Sequence, residues 1–345
     1  MSEFSQGAVP TTDNSLFKRL LPDTDVGTFF TGYWDKTPLH MPACEASPGG
    51  FSDLVSARDI DHLFGYSDAR IRVARWHDGK VHNRSVPKIG GMPNIYDLYQ
   101  AWNDGFSISI DHLHRFWPPI TRFYKQIEST LQHPAGVNLY YTPPGNQAFK
   151  IHYDGHDVFV LQATGTKDWE VYRQIDPFPN TGRELDNPDQ AGKPILTCTL
   201  REGDALYIPR GFAHAARATD SASIHLTVQV TPLTWYELLR IIEGNADWTN
   251  LRLRQSLPPG FMHQKETMHR TLPTLLGRPI DGNAVQDALQ RYCDRLWGQA
   301  QPIPDGHFEC LQRVHQMALE SRLRKRVHAC CRAESTPEGA RLVFH

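Results

Sequence analysis

The chain has 345 residues, of which 40% are hydrophobic, and its 36 Lys and Arg against 38 Asp and Glu give a formal net charge of −2; these values exclude a wholly disordered chain and a protein that binds nucleic acid through bulk positive charge. No apolar run approaches the roughly 18 residues of a membrane span, and the polar stretch Met1–Ser15 lacks the apolar centre of a signal peptide. The six cysteines include no C-x-x-C pair and are typical of free thiols, so the sequence predicts a cytoplasmic protein with no membrane and no direct nucleic-acid partner.

The N-terminal part of the chain predicts mixed helices and strands after a flexible tail over residues 1–15. Phe106, Ile108 and Ile110 alternate with serines, which indicates a strand with one buried face. A helix is predicted to begin at Pro118–Pro119, because proline fits the first helical turn, and to end at His133–Gly136. Its apolar residues at helical spacing are Ile120, Phe123, Tyr124, Ile127 and Leu131.

Residues 137–231 predict an antiparallel β-structure. Turn signals such as Pro143–Asn146, Gly165 and Gly211 separate short apolar stretches, a pattern typical of a sandwich or barrel. The predicted strands are Val137–Thr142, Val158–Gln162, Asp168–Tyr172, Ile195–Leu200, Ala205–Ile208 and Ser223–Val230. No helix-length pattern lies between them, so a parallel βαβ sheet is not expected, and the predicted fold class is α+β.

After Pro232 the pattern is helical again. Three amphipathic faces are predicted, formed by Trp235, Leu238, Leu239 and Ile242, then Val285, Ala288, Leu289, Tyr292 and Leu296, and finally Phe308, Leu311, Val314 and His315. A single barrel cannot easily cover all of them, so a homodimer through this region is expected. The last stretch carries a basic cluster over 322–326 and a possible strand at Ala340–Phe344.

The segment Lys150–Asp154 is the most informative for chemistry. If it is extended, His152 and Asp154 point to the same face, because strand side chains repeat every two residues. The turn that follows the strand ending at Ile208 is expected to aim His214 back towards this pair. Two imidazoles and one carboxylate on one face of a metal ion leave three positions open, which is the facial triad of non-haem Fe(II) oxygenases. In a chain with 17 histidines the His-x-Asp pair alone is a weak signal, and the distant His214 strengthens it.

A second group of residues fits an acidic co-substrate. Lys167 follows Gly165 and opens the next predicted strand, where its ammonium group can pair with the far carboxylate of a dicarboxylic acid. Asn138 and Tyr140 alternate on the strand before the metal segment, so both face the same way. Each of these residues also has an ordinary interpretation: Lys167 as a solvated side chain, and Asn138 and Tyr140 as strand packing. The functional interpretation is favoured because all three residues flank one site.

Several motifs resemble those of one known family. The stretches His152–Gln162 (HYDGHDVFVLQ) and Gly165–Tyr172 (GTKDWEVY) resemble the JmjC-type, cupin-fold 2-oxoglutarate oxygenases and, within them, the ribosomal oxygenases. Gly203–His214 (GDALYIPRGFAH) is similar to their distal metal-ligand motif, and Ser223–Thr227 to the strand that follows it. The further stretches that fit are Phe29–Leu39 and Leu113–Pro119, so the similarity runs over roughly residues 16–245.

The resemblance implies a double-stranded β-helix, the cupin or jelly-roll barrel, in an oxygenase domain over 16–232. It also implies a helical dimerisation region over 233–320, followed by a winged helix. The chain departs from the family at its end, because residues 321–345 are too few for a complete winged helix and are expected to form only an incomplete, winged-helix-like segment.

The family's chemistry implies Fe(II) held by His152, Asp154 and His214. It further implies 2-oxoglutarate held by Lys167, with Asn138 and Tyr140 lining the same pocket, and O2 as the oxidant. The implied reaction is hydroxylation of a side chain in a protein or peptide, and known members act on Arg or His residues of ribosomal proteins. The departure at the C-terminus leaves a biosynthetic precursor peptide as another substrate class.

The barrel mouth is expected between the loops Pro143–Lys150 and Gln174–Gly192, where Tyr141, His156 and Arg210 are candidates to meet the substrate. His156 has structural packing as its main alternative, and His225 is expected to line the barrel or to be hydrogen-bonded within it. Two other functions remain open. A cupin metalloenzyme of another class, such as an isomerase, would use the same ligands but leaves Lys167 and Asn138 without a task. A non-catalytic binding module would not need the intact ligand set.

Overall fold

The computed structural model describes residues 14–21, 23–44, 50–66, 69–298, 306–316, 318, 321, 331–336 and 339–344. Within these, the chain divides into two compact units, Met1–Ile280 and Asp281–His345. Most of the predicted tail lies outside the described residues, and the first helix already begins at Asn14.

Helices and antiparallel strands alternate in groups along the chain. The strands are β1 (Leu39–Met41), β2 (Arg70–His77), β3 (Lys80–Arg84), β4 (Lys88–Ile89), β5 (Met92–Pro93), β6 (Ser107–Asp111), β7 (Ala135–Thr142), β8 (His152–Tyr153), β9 (Asp157–Thr164), β10 (Lys167–Gln174), β11 (Arg183–Glu184), β12 (Leu196–Leu200), β13 (Ala205–Ile208), β14 (Phe212–Ala218), β15 (Ser223–Val230), β16 (Cys331–Thr336) and β17 (Gly339–Phe344). The helices are α1 (Asn14–Leu20), α2 (Val26–Gly32), α3 (Ile60–Phe64), α4 (Ile95–Asn103), α5 (Pro118–Leu131), α6 (Trp235–Glu243), α7 (Lys265–Leu276), α8 (Gly282–Gly298) and α9 (His307–Arg313).

Two antiparallel sheets form the centre of the first unit. The larger has the strand order β1-β13-β9-β15-β7-β6-β2-β3, and the smaller has the order β11-β8-β14-β10-β12. Their facing residues belong to one buried cluster: Val158, Val160, Trp169, Val171, Leu200, Leu206, Ile208 and Phe212. The two sheets therefore pack face to face, as the sequence predicted for a sandwich or barrel, and every strand pair described is antiparallel.

The outer face of the large sheet is covered by the N-terminal helices. Along β9, Phe159 and Leu161 point into the helical core, whereas Val158 and Val160 point between the sheets, because strand side chains alternate. The helix α5 begins at Pro118, as predicted, and contributes Ile120, Phe123, Ile127 and Leu131 to the same core. The chain leaves α5 at Gln132, which adopts a left-handed conformation with φ 61°.

The region predicted as 233–320 does not behave as one helical block. The helices α6 and α7 belong to the first unit, and the segment between them bonds directly to the barrel. Leu257 N–H donates to Leu233 O, Gly260 N–H donates to Leu131 O, and the Arg210 guanidinium donates to Arg254 O and Ser256 Oγ. These contacts connect the segment between α6 and α7 to the rest of the first unit.

The second unit contains α8, α9 and the hairpin β16–β17. The predicted C-terminal strand is confirmed, since β17 spans Gly339–Phe344. The basic cluster over 322–326 lies outside the described residues. Among the helices that the structure describes, none combines the length and the apolar character needed to cross a membrane.

Candidate metal centre and adjoining cavity

The three predicted ligands converge at one end of the small sheet. His152 on β8 and His214 on β14 are direct cross-strand neighbours, and their ring centroids lie 4.4 Å apart. Asp154 follows β8, and its Oδ2 lies 3.7 Å from His214 Nε2. One ligand atom from each of the three residues lies within 4.8 Å of the others. This spacing suits a single cation bound between them.

The backbone fixes which imidazole nitrogen faces this centre. His152 Nδ1 lies 2.9 Å from Lys150 O, and His214 Nδ1 lies 3.1 Å from Phe212 O. A carbonyl oxygen only accepts hydrogen bonds, so each Nδ1 carries a proton, and in the neutral ring Nε2 keeps its lone pair. Both rings therefore present an unprotonated nitrogen as a metal ligand, held in orientation by a main-chain acceptor.

The protonation states also fit a divalent cation. Burial, together with the neighbouring His152, lowers the pKa of His214 to about 4, so its ring is neutral at pH 7. Burial by itself would raise the pKa of Asp154, but the surrounding His156, His214, His152 and Arg72 outweigh it and the pKa is lowered. Neutral imidazole and ionised carboxylate are the forms that bind metal.

Two glycines permit the tight loops that carry these ligands. Gly211 has φ 81°, its N–H donates to Asp154 O, and a Cβ there would lie 1.9 Å from Asp176 O. Gly155 follows Asp154, and a Cβ there would lie 2.5 Å from Thr181 N. A side chain at either position would displace the loop that holds Asp154, because contacts this short are repulsive.

A cavity between the sheets adjoins the ligands. It is lined by Tyr140, Ala148, Phe149, His152, Asp154, Val158, Lys167, Trp169, His214, Ala216, His225 and Thr227. Lys167 is 3% exposed, and its Nζ donates to Thr142 Oγ1 at 3.0 Å. Burial lowers the pKa of Lys167 to about 7. A buried ammonium with no carboxylate beside it, among the residues the structure describes, is a recognition group for an anion.

Aromatic and imidazole rings form the rest of the cavity wall. The His225 ring stacks on Tyr140 with centroids 5.0 Å apart, and Trp169 meets His225 edge-on at 5.6 Å. Trp169 Nε1 and His225 Nδ1 are both buried without a hydrogen-bond partner in the described part of the chain. Burial, with a contribution from Lys167, holds the pKa of His225 well below its ordinary value, so the ring is neutral. Two unsatisfied polar atoms beside Lys167 mark a polar ligand position.

Other predicted site residues lie elsewhere. Asn138 shares a face of β7 with Tyr140, but its Oδ1 accepts from His112 N–H at 2.9 Å, and it is not among the cavity-lining residues. Tyr141 points to the opposite face of the strand and stacks on Trp102 with centroids 3.7 Å apart. It therefore faces away from the cavity, because strand side chains alternate.

Arg210 does not face the barrel mouth. It is 2% exposed, and its guanidinium bonds to Ser256 Oγ and Arg254 O and lies 3.5 Å from Asp35. The backbone N–H of Arg210 donates to Asp157 Oδ1. Burial and the nearby Asp35 raise the pKa of Asp157 to about 7. Arg210 thus neutralises buried carboxylates, which is a structural task.

His156 lies beside the metal centre without joining its ligand set. It is half-buried, and its Nδ1 has no hydrogen-bond partner within the described residues. Two residues that the sequence did not single out contact side chains of the cavity wall, Thr142 through Lys167 and Arg72 through Tyr140. Thr142 continues the 138-140-142 face of β7, a signal that alternation alone could have provided. Arg72 lies about 70 residues upstream, and no pattern links it to Tyr140, whose hydroxyl lies 3.4 Å from its NH2 group.

Comparisons with known proteins place these motifs in context. A JmjC domain model matches residues 111–238. Ribosomal oxygenase 1 of Rattus norvegicus is 31% identical over 311 residues, covering 81% of this chain and 51% of that protein. A protein of Drosophila persimilis named bifunctional lysine-specific demethylase and histidyl-hydroxylase NO66 is 29% identical over 250 residues, covering 70% of this chain and 36% of that protein. The chain therefore spans about half the length of the rat relative, and less of the fly one.

A similar fold occurs among solved structures. The structure of YcfD, a ribosomal oxygenase from Escherichia coli, in complex with cobalt and 2-oxoglutarate, aligns with a TM-score of 0.53 and 18% identity. The alignment covers 85% of this chain and 78% of that one. At this identity the likeness concerns the fold, and it agrees with the two facing antiparallel sheets described above.

Proposed function

This chain is a JmjC-domain protein related to the ribosomal oxygenases, and from that premise we propose that it is an Fe(II)- and 2-oxoglutarate-dependent oxygenase that hydroxylates a side chain in a protein or peptide. The observation that carries the proposal is the pairing of two centres in one cavity. One is the ligand set of His152, Asp154 and His214, and the other is the buried Lys167. Metal and dicarboxylate sites in one cavity suit a reaction that needs both.

In this function His152 and His214 hold Fe(II) through Nε2, and Asp154 holds it through a carboxylate oxygen. When bound with 2-oxoglutarate and O2, the iron supplies the oxidation of a C–H bond to an alcohol while the co-substrate becomes succinate and CO2. The protein's part is to orient the ligands, to keep the cavity walls apolar, and to position both substrates. The carbonyls of Lys150 and Phe212 hold the two imidazoles in place.

The co-substrate's far carboxylate is assigned to Lys167. Thr142 already accepts a hydrogen bond from Nζ and orients it, and its hydroxyl proton is then available to a second acceptor. Tyr140, His225 and Trp169 line the path from Lys167 towards the metal centre. Asn138 supports this wall indirectly, since it fixes the backbone of His112 beside β7.

The substrate class follows from the relatives' names and from the open side of the site. A histidyl-hydroxylase and ribosomal oxygenases are named among the relatives, and this supports a His or Arg side chain of a ribosomal protein as the substrate. Of the three substrate candidates Tyr141, His156 and Arg210, we assign contact with the substrate to His156, which is half-buried beside Asp154. The isomerase-like and binding-module alternatives have no observation that favours them, and both leave the buried Lys167 unexplained.

Self-association belongs to the same proposal. The resemblance assigns a dimerisation region to 233–320, and α9 within it exposes Phe308 at 81% and Leu311 at 50%. Large apolar side chains in this position favour contact with a second copy of the chain. The cytoplasmic location indicated by the sequence stays a prediction.

The test is co-substrate turnover by the purified chain. We expect Fe(II)-dependent conversion of 2-oxoglutarate to succinate, and a +16 mass shift on protein from cells that contain the enzyme but not on protein from cells that lack it. Lys167→Met should lose co-substrate binding, whereas Lys193→Met, at an exposed loop lysine, should not. Equal 2-oxoglutarate binding by the wild type and Lys167→Met would refute the assignment of Lys167.

A further inference from the structure

A groove continues from the metal cavity along the inner face of the large sheet. Residues directly opposite each other on paired strands share a face, and one such row runs from His225 through Tyr140 and Ser109 to Arg72. The first two line the metal cavity, and Arg72 lines a second pocket beyond it. One face of the large sheet therefore lines both the metal cavity and the second pocket.

The second pocket lies against the hairpin β2–β3, which supplies most of its lining residues. Trp76 and its cross-strand neighbour Val81 floor it, and its volume is about 630 Å³. Phe149 separates the two spaces and lines both of them. Its ring meets Tyr140 and His152 edge-on, with centroids 6.3 Å and 5.9 Å away. A polymer whose side chain enters the metal cavity therefore passes Phe149 and continues over the hairpin.

The groove is lined by more positively charged than negatively charged side chains. Arg72, Lys80 and Lys150 line it, and Glu184 is the one carboxylate among its lining residues. Arg72 is paired with Asp111 at 2.8 Å, and Lys150 with Glu184 at 3.4 Å. Lys80 has no ion-pair partner in the part of the chain that the structure describes, and it is exposed. The groove therefore offers one uncompensated cation at its far end.

From this geometry we infer that the groove binds an extended polypeptide segment with an acidic residue facing Lys80. The inference rests on the proposed function and names the substrate class for the same site. From Tyr140 to the hairpin there are three strand spacings of about 4.8 Å across the sheet and four residues of about 3.3 Å along the strand, and these two perpendicular components together span roughly 20 Å. An extended chain covers this distance with roughly six residues. The acidic residue is therefore expected four to six positions from the hydroxylated one.

The experiment uses labelled peptides with the full chain loaded with Mn(II) and 2-oxoglutarate. The peptides are 13 residues long and centred on His or on Arg, with Glu, Gln or Lys at positions four to six on either side. Fluorescence anisotropy measures binding without requiring turnover. We expect the Glu peptides to bind about tenfold more tightly than the Lys peptides, and the preference to weaken with added salt.

Charge reversal at the groove supplies the decisive comparison. Lys80→Glu should invert the ranking of Glu and Lys peptides, and Lys193→Glu, the same change at an exposed loop lysine outside the groove, should not. Equal binding of all peptides, no binding, or an unchanged ranking in Lys80→Glu would overturn the inference. A failure of the proposed function gives a different result, namely no binding of 2-oxoglutarate in the absence of any peptide.

Discussion

The two candidate imidazole ligands are ordered before any cation binds, because each Nδ1–H already donates to a carbonyl two residues earlier. Preordered ligands lower the entropy cost of metal binding. His214 is buried and adjoins both other ligands.

His214→Ala is expected to weaken Mn(II) or Fe(II) binding by at least about a hundredfold, since it removes one of three protein ligands. The measurement is Mn(II) titration followed by electron paramagnetic resonance. His156→Ala is the matched control, because His156 lies beside Asp154 but outside the ligand set. Normal metal affinity in His214→Ala would contradict the assignment.

The lowered pKa of Lys167 predicts a pH-dependent affinity for 2-oxoglutarate. Its pKa of about 7 means that the free protein has a neutral amine above this pH, whereas a bound carboxylate requires the ammonium form. The dissociation constant should therefore rise by about tenfold per pH unit between pH 7.5 and 8.5, with uptake of about one proton on binding.

Isothermal titration calorimetry in two buffers with different ionisation enthalpies measures this proton uptake. Lys167→Met should bind weakly at every pH and take up no proton. A pH-independent affinity in the wild type would show that Lys167 is not the partner of the carboxylate.

At the scale of elements, strands with strong alternation or β-branched residues were predictable. The strands β7, β9, β10, β12, β13 and β15 lie within a few residues of their predicted positions. The strand β14 was not predicted, because Phe212–Ala218 is rich in alanine and carries His and Arg, so its extended form depends on pairing with β10. The two-residue β8 depends likewise on its pairing with β14 and β11.

The site was predictable where its residues are close in sequence or carry an unmistakable ligand type. His152 and Asp154 are two residues apart on one extended segment, and His214 follows a clear turn. Arg210 was misjudged because a buried arginine with partners more than 40 residues away has the same local sequence as an exposed one. Long-range partners of this kind are fixed by topology, which a single sequence does not display.

Arg210→Met should lower the free energy of unfolding by about 3–5 kcal/mol, because it removes the guanidinium that lies 3.5 Å from the half-buried Asp35 and whose charge acts on the buried Asp157. Urea unfolding measures the loss, and Arg201→Met, at an exposed position, should change stability little. The folded variant should retain its affinity for metal and 2-oxoglutarate. An unaltered stability combined with a raised KM for peptide would instead support the original substrate role.

His133 joins the end of α5 to the segment that follows α6. Its Nδ1 accepts from Leu233 N–H at 3.1 Å and its Nε2–H donates to Leu257 O at 3.1 Å, so the ring is neutral. Burial lowers its pKa to about 3. The unfolded chain binds a proton near pH 6.5 and the folded chain does not, so stability is lost as the pH falls below 6.5, by up to about 1.4 kcal/mol per pH unit.

His133→Gln removes this proton binding, so the difference in unfolding free energy between wild type and variant should shrink by about 2 kcal/mol between pH 6.5 and 5.0. Urea unfolding at both pH values gives the four free energies. His82→Gln, at an exposed position on β3, should leave the pH dependence of the wild type unchanged. If the difference in unfolding free energy between wild type and variant stays constant across this range, His133 does not take up a proton on unfolding, and the argument is contradicted.

At the scale of the whole molecule, the exposed apolar side chains of α9 bear on assembly. Phe308 and Leu311 lie three residues apart on the helix, which places them on one side of it. Their exposure of 81% and 50% is high for large apolar residues, and covering them in a two-fold interface would remove this surface from water.

We therefore expect a homodimer at micromolar concentration, measured by light scattering after size-exclusion chromatography. The double variant Phe308→Glu/Leu311→Glu should shift the population to monomer, because two carboxylates would have to lose their water at the interface. Leu251→Glu is the matched control, since Leu251 is 45% exposed but lies outside α9. A monomeric wild type, or a double variant that remains dimeric, would rule out this interface. The metal and 2-oxoglutarate affinities should be the same in monomer and dimer, because every residue assigned to those two sites lies in the first unit of a single chain.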